Sequence, residues 1–506
     1  MRSTVTARRP RAEGYALIGL GAGVRFVGAA AATIAGLATT AIAVRVLGTS
    51  SYGAFAFALS TAVLFGGIGR VGLEAAVARS VAILRSGSDL PRMERVTRGA
   101  FTLIALTSVV GALASLAVIE LASLSLDRET RLVIGAFLGV VIYGLNASAV
   151  SASLARARGR VAFMEVSLLV PMLARLAAVG VLAAFGITDL RWFAAGYAVA
   201  AAVAAVASWR LTKIVLESGR GLVPDLGAAR TMFTSSLPFA ITGLASIVLA
   251  RFDVVILGVT GTRVEVGTYE PTLKVVEQAM VLVPLLFASQ YFPVATRAFA
   301  DGDRAEFREL YIGLSKLTYI IAFPAVIVLA AFPETILHAF YGADFPASGR
   351  LIWLLLPGYI ISLAFGLNSS ALAAVGERRA LTRTGLITGT SMVVLALALV
   401  PSFGATGAAT ATSSTFVVMN VAVSVALART AGLQPFRTDF VLTLLTSAAP
   451  LTAALAIRAA IGSVGLLEAL GLVLSLSVVW FALLFAVKIV RRDEIVRLLP
   501  RGLGAR

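Results

Sequence analysis

A chain of 506 residues in which 59% are hydrophobic and only 14% charged is far from an ordinary soluble protein, where charged residues are about a quarter. The absence of cysteine excludes disulfide frameworks and thiolate metal sites, and a single histidine, His338, leaves almost no room for histidine metal chemistry. A net charge of +17 admits two kinds of partner, nucleic acid or anionic lipid, and the distribution of the basic residues decides between them.

The apolar residues form long blocks rather than amphipathic stripes. A basic stretch (Arg2, Arg8, Arg9, Arg11) precedes an apolar segment of about 28 residues, longer than a cleavable signal, which reads as an uncleaved first span over 19–46. Further spans are predicted at 53–78, 99–121, 132–154, 166–187 and 192–210, then at 233–259, 269–293, 310–332 and 351–375. Arg98 to Glu120, Arg131 to Arg156 and Arg350 to Glu377 each bracket roughly 20 to 26 uncharged residues, the length a bilayer core demands. Arg383 to Arg429 brackets a run about twice that length, which PSFGATG (401–407) splits into spans at 385–402 and 406–428. Spans at 440–461 and 467–488 complete an all-α polytopic membrane protein of about 14 transmembrane helices.

With the N-terminus inside, about 30 basic residues fall in cytoplasmic segments and about 5 outside, which predicts both termini in the cytoplasm. The positive charge is then a topology signal and an attraction to anionic lipid, not a nucleic-acid footprint. The loops are short, and no GxxxxGK[ST] phosphate loop occurs. The outer loops offer only scattered charges (Asp127, Glu129, Asp189, Glu265, Glu334, Asp344), too few for the clusters an integral-membrane polymerase, ligase or glycosyltransferase needs. The expectation is a protein that is not an enzyme and works between its helices.

YGLNASA (143–149) recurs as FGLNSSA (365–371), and in each copy an arginine follows the asparagine by ten residues: Asn146 with Arg156, Asn368 with Arg378. AVRVLGTSSYG (43–53) likewise matches DVVILGVTGTRVEVG (253–267). Both pairs lie six spans apart, so the copies share one orientation in the membrane. This predicts a basic N-terminus (1–18), two pseudo-symmetric six-helix lobes (19–218 and 219–432) around a central cavity, two further helices (433–490) and a basic tail (491–506).

The segment AIAVRVLGTSSYGAFAFALSTAVLFGGIGRVGLEAAVARSVA (41–82) resembles the opening of polysaccharide and O-antigen flippases of the multidrug/oligosaccharidyl-lipid/polysaccharide exporter superfamily. LPFAITGLASIVLARFDVVILG, EVGTYEPTLKV, FPVATR and HAFYGADFPASGRLIWLL extend the resemblance over nearly the whole chain. It implies transport of an undecaprenyl-diphosphate-linked glycan from the inner to the outer leaflet of the bacterial cytoplasmic membrane. The implied partners are that glycan, anionic membrane lipids and polysaccharide assembly enzymes, with no nucleic acid. It also implies that the first, second, seventh and eighth spans surround the cavity.

Charges inside spans are costly and need a cavity or a partner. Arg45, Lys316 and Arg458 lie near helix ends, where snorkelling explains them. Arg70 and Glu74 can pair across one turn, and Glu270, Lys274 and Glu277 form a stripe on the eighth span. Arg175 lies too deep to snorkel easily. Arg251 and Asp253, two residues apart, point to nearly opposite faces and cannot neutralise each other. A diphosphate calls for guanidinium forks. The candidates for it are Arg25, Arg70, Arg175, Arg251 and Lys274, with Asp253, Glu74 and Glu277 as candidates for a coupling proton or Na⁺ and no other cofactor. The alternatives are a lipid II flippase, whose cargo is also a polyprenyl diphosphate, a multidrug exporter, whose cavity would be acidic and aromatic, and a structural partner of a biosynthetic complex.

Overall fold

The computed structural model describes residues 11–70, 72–86, 89–122, 127–217, 223–462, 464–487 and 489–490, with side chains from Val27 onward except at 238, 241, 242, 289 and 290. Among these residues there is no strand. In chain order the helices are α1 (Arg11–Arg70), α2 (Leu73–Ser86), α3 (Leu90–Leu121), α4 (Arg128–Ala157), α5 (Val161–Ala184) and α6 (Leu190–Leu216). They continue as α7 (Leu226–Thr260), α8 (Arg263–Ala300), α9 (Arg304–Ala331), α10 (Pro333–Tyr341), α11 (Gly349–Phe365) and α12 (Asn368–Val375). The last four are α13 (Arg378–Ala431), α14 (Thr438–Thr446), α15 (Ala448–Ile461) and α16 (Leu466–Ala486).

Helix starts are marked by short polar side chains that accept from otherwise orphaned backbone N–H groups. Asp89, Asp127, Asp225 and Asp303 cap α3, α4, α7 and α9 in this way, and Thr262 with Glu265 forms a reciprocal capping box on α8. The hydrogen bonds from Thr130 hold the Asp127 carboxyl below its usual range.

Eleven helices among the described residues are long and apolar enough to cross a membrane, twelve if the bent pair α11 and α12 is one span. The fourteen predicted spans are not reproduced helix for helix, and the difference lies in α1 and α13. These run 60 and 54 residues, through what the sequence pattern separates. Straight, either would measure about 80 to 90 Å, far beyond a hydrocarbon core of about 30 Å. Each is instead kinked at a glycine with positive φ, Gly48 (71°) and Gly404 (55°). The two spans predicted at 53–78 and 351–375 are each broken, at Gly72 (φ 77°) and Gly366 (φ 63°). A side chain is strained at such a φ, and at Gly366 a Cβ would also strike Ser315.

The first half packs α4 against α6 and α1 against α5, and the second packs α7 and α11 against α13. The halves meet where α1 and α8, and α3 and α7, run against each other. The two asparagines of the heptapeptide repeat are both buried, but their surroundings differ. Asn146 lies within continuous α4 and donates to the Gly66 carbonyl at 3.1 Å. Asn368 follows the break after α11 and donates to Asn420 and Ser424 of α13.

The three charges expected to snorkel also have protein partners. Arg45 donates to the carbonyls of Ala339 (2.7 Å) and Phe340 (2.9 Å). Arg458 pairs with Glu334 at 2.8 Å. Lys316, 2% exposed, pairs with Asp439 at 2.8 Å and donates to the Ile489 carbonyl at 3.2 Å, tying the C-terminal helices to α9. In each case the partner comes from a helix or turn distant in sequence, which helical periodicity does not reveal. Lys316→Met is expected to destabilise the fold by about 3 kcal/mol, the cost of breaking a buried pair. Glu309→Gln, at the exposed end of the same network, is expected to cost less than about 1 kcal/mol. Thermal midpoints in detergent check both.

Candidate functional site

Between the halves lies a cavity of about 510 Å³ lined by α1, α5, α6, α7 and α8. Small residues on α1 (Gly28, Ala29, Ala32, Gly36) leave the space, and charged residues reach into it from three other helices. Arg175, Arg251 and Lys274 contribute positive charge, Glu165 and Glu270 negative. Lys274 is already engaged, with Glu270 at 2.7 Å and Thr40 at 3.2 Å. Arg175 lies over the Tyr197 ring at 6.0 Å. Neither Arg175 nor Arg251 has an ion-pair partner among the described residues, and each is within electrostatic reach of the other. Two like charges held together in a partly dehydrated space favour an anion that can bind both, because guanidinium groups offer forked, charge-assisted hydrogen bonds.

The other predicted residues lie elsewhere. Asp253, 1% exposed, points away from the cavity into the second half. It accepts from the Tyr269 hydroxyl (2.5 Å), the Thr412 hydroxyl (2.9 Å) and the Val254 N–H (2.8 Å). Arg70 bonds Glu74 at 3.0 Å across the break between α1 and α2 and donates to Asn146 at 3.3 Å, and neither Arg70 nor Glu74 lines the cavity. The predicted stripe on α8 divides: Glu270 and Lys274 line the cavity, whereas Glu277 does not and is within electrostatic reach of Tyr359 on α11. The Arg25 side chain lies outside the described residues, three positions before Gly28, which lines the cavity.

Sequence reasoning left three contributors out of the site. Glu165 falls just before the fifth span predicted from 166, whereas α5 begins five residues earlier at Val161, where the apolar VAF is the available signal. Tyr197 and Tyr52 carry no mark in sequence that separates them from other aromatic residues in spans.

The helices alternate in direction, which puts the turns at 157–161, 301–304 and 375–378 on one face of the molecule, here the basic face, and the kink of α1 at the opposite, far face. Toward the far face the cavity is closed by a seam between α1 and α8. A Cβ at Gly53 would overlap the Arg263 carbonyl, and one at Gly267 would overlap the Thr49 carbonyl. The contact is reciprocal, each glycine lying four residues beyond the carbonyl that its counterpart meets, as a two-fold relation between the halves requires. Tyr341 donates to the Pro271 carbonyl at 2.9 Å, and Tyr52 donates to Glu270 at 2.7 Å, beside the same seam. At the basic face α7 is held on the first half through Gly72 against Ser236 and Gly99 against Ala228.

Residues 19–299 match a family model described as polysaccharide biosynthesis protein. Over 225 residues, 44% of the chain, the sequence is 23% identical to the probable low-salt glycan biosynthesis flippase Agl15 of Haloferax volcanii. The match spans 47% of that protein, so the chain covers about half the length of this curated relative. Among solved structures the chain is similar to the lipid II flippase MurJ in an inward closed conformation, with a TM-score of 0.71 and 14% identity over 93% of this chain and 100% of that one. It is also similar to an inward-facing MATE multidrug transporter, with a TM-score of 0.60 and 15% identity over 79% of this chain and 95% of that one. These likenesses establish the fold, and the family match covers more than half of the chain. The chain is a multi-pass membrane protein that belongs to the polysaccharide biosynthesis protein family.

Proposed function

We propose that the protein is a flippase that carries a polyprenyl-diphosphate-linked oligosaccharide across the bacterial cytoplasmic membrane for cell-surface polysaccharide biosynthesis. The observation that carries this reading is that Arg175 and Arg251 line one cavity between the halves, within electrostatic reach of each other, and neither makes a salt bridge among the described residues. The diphosphate binds these arginines and Lys274, with Arg25, three positions before the cavity-lining Gly28 on α1, as a further candidate, while the prenyl tail stays in lipid. The lobes 19–218 and 219–432 rock about the site, so that it faces one leaflet and then the other. The basic face is cytoplasmic, both termini lie there, and it attracts anionic lipid. Polysaccharide assembly enzymes supply and remove the cargo. The protein performs no covalent step and needs no cofactor beyond a coupling proton or Na⁺. Asp253 is the favoured coupling carboxylate, since a cation entering between Tyr269 and Thr412 would rearrange α7 against α13.

Lipid II offers the same diphosphate, so it remains a second cargo for the same cavity. An organic cation does not suit a cavity in which cations outnumber carboxylates. The test is leaflet exchange in proteoliposomes, followed by an impermeant quencher of a fluorescent sugar. Exchange of a lipid-linked oligosaccharide in preference to lipid II, driven by a proton or Na⁺ gradient and uncoupled from it in Asp253→Asn, supports the proposal. Gradient-driven movement of an organic cation without glycan exchange overturns it.

A further inference from the structure

Glu270 belongs both to the cavity and to the seam that closes it. It is 3% exposed and has partners on two sides. One oxygen accepts from Tyr52, which lies on the first half beside Gly53 of the seam, at 2.7 Å. The other pairs with Lys274, one turn along α8, at 2.7 Å. Gly267, three residues earlier, is itself a seam contact, and the carbonyl of Pro271, the next residue, accepts from Tyr341 of α10 beside it. The charge of Arg251 also reaches Glu270. The carboxylate is therefore compensated by two of the cations assigned above to the diphosphate.

We infer that Glu270 is the positioning residue through which capture of an anion in the cavity opens the far-face seam. The inference rests on the reading of the cavity as a diphosphate site and concerns how occupancy is passed on. An anion that draws Lys274 and Arg251 toward itself removes the compensation of Glu270 and adds a like charge near it. A buried carboxylate in that position is strongly destabilised. Relief comes when water reaches Glu270, which requires α8 to part from α1 and the Tyr52 bond to break. The repulsion is strong in the closed, dry seam and screened in the open, wet one. That difference in interaction is what a ligand needs in order to shift a two-state equilibrium. When the cargo leaves, Lys274 returns to Glu270, the charge of Arg251 again compensates it, and the seam closes. An uncharged cargo would not trigger the cycle.

The chain contains no cysteine, so spin labels placed only at Arg128→Cys and Asp344→Cys, exposed positions on the far face of the two halves, report opening by pulsed electron resonance. The probe ligand is farnesyl diphosphate added to purified full-length protein. In the parent the inter-label distance is expected to lengthen on saturation. Glu270→Gln keeps an acceptor for Tyr52 but removes the charge; it is expected to bind the ligand about tenfold more tightly without the lengthening. Tyr52→Phe is expected to populate the longer distance without ligand. Glu270→Asp is expected to restore part of the response, which a purely structural role would not predict. If the parent binds farnesyl diphosphate and the distance does not change, or if Glu270→Gln matches the parent in affinity and opening, the inference is overturned and the diphosphate site stands. If the parent does not bind it, the diphosphate site itself fails and the inference falls with it.

Discussion

Arg251→Ala is expected to reduce exchange of the lipid-linked oligosaccharide between tenfold and a hundredfold while leaving the thermal midpoint within a degree or two of the parent. A charge-assisted hydrogen bond to phosphate contributes about 1.5 to 3 kcal/mol, and each 1.4 kcal/mol is about a factor of ten. Stability should hold because Arg251 makes no salt bridge among the described residues, and Glu270, which its charge also reaches, keeps Lys274 and Tyr52 at 2.7 Å. It also relieves repulsion with Arg175, which makes a small gain in midpoint the natural direction. Arg251→Lys should recover part of the exchange, since a lysine keeps the charge but not the planar fork. Initial rates of fluorescence quenching in proteoliposomes, measured beside a thermal melt of the same preparation, decide the matter. A parallel fall in rate and midpoint would make Arg251 a packing residue and remove the main support for the cargo assignment.

Gly267→Val should abolish exchange by a different route, by preventing the far face from closing. The added Cβ meets the Thr49 carbonyl, a backbone atom that cannot swing aside as a side chain would. Overpacking of this kind costs about 1 to 3 kcal/mol where the surroundings can adjust, and here the adjustment is separation of α1 from α8. Gly53→Val meets the Arg263 carbonyl and should act in the same way. The double variant should cost little more than either single one, because the first substitution has already parted the seam. Gly180→Ala is the control: nothing lies within 4 Å of a Cβ there, and alanine is the better helix former. Far-face distances between spin labels would read the parting directly. Additive effects of the two valines, with an unchanged distance, would mean that the glycines serve local packing and not a shared seam.

The sequence by itself determined the class of this protein. Uncharged runs of bilayer length can be satisfied only by helices in lipid, and alternation of these runs with basic loops makes the chain multi-pass. It also determined that Arg251 and Asp253 diverge, since two residues advance a helix by about 200°. The motifs at 41–82 and in the second half carried the resemblance to polysaccharide flippases, and the match of residues 19–299 to the polysaccharide biosynthesis protein family agrees with it. Only the tertiary structure decided which diverging charge meets the cavity, that Glu277 leaves the stripe begun by Glu270 and Lys274, and that Lys316 answers Asp439 rather than lipid. Helical periodicity assigns a residue to a face of its own helix and says nothing about what stands opposite. Tyr52 and Glu270 are 218 residues apart in the chain and 2.7 Å apart in space, and the contact exists because two glycines let α1 and α8 approach to backbone distance.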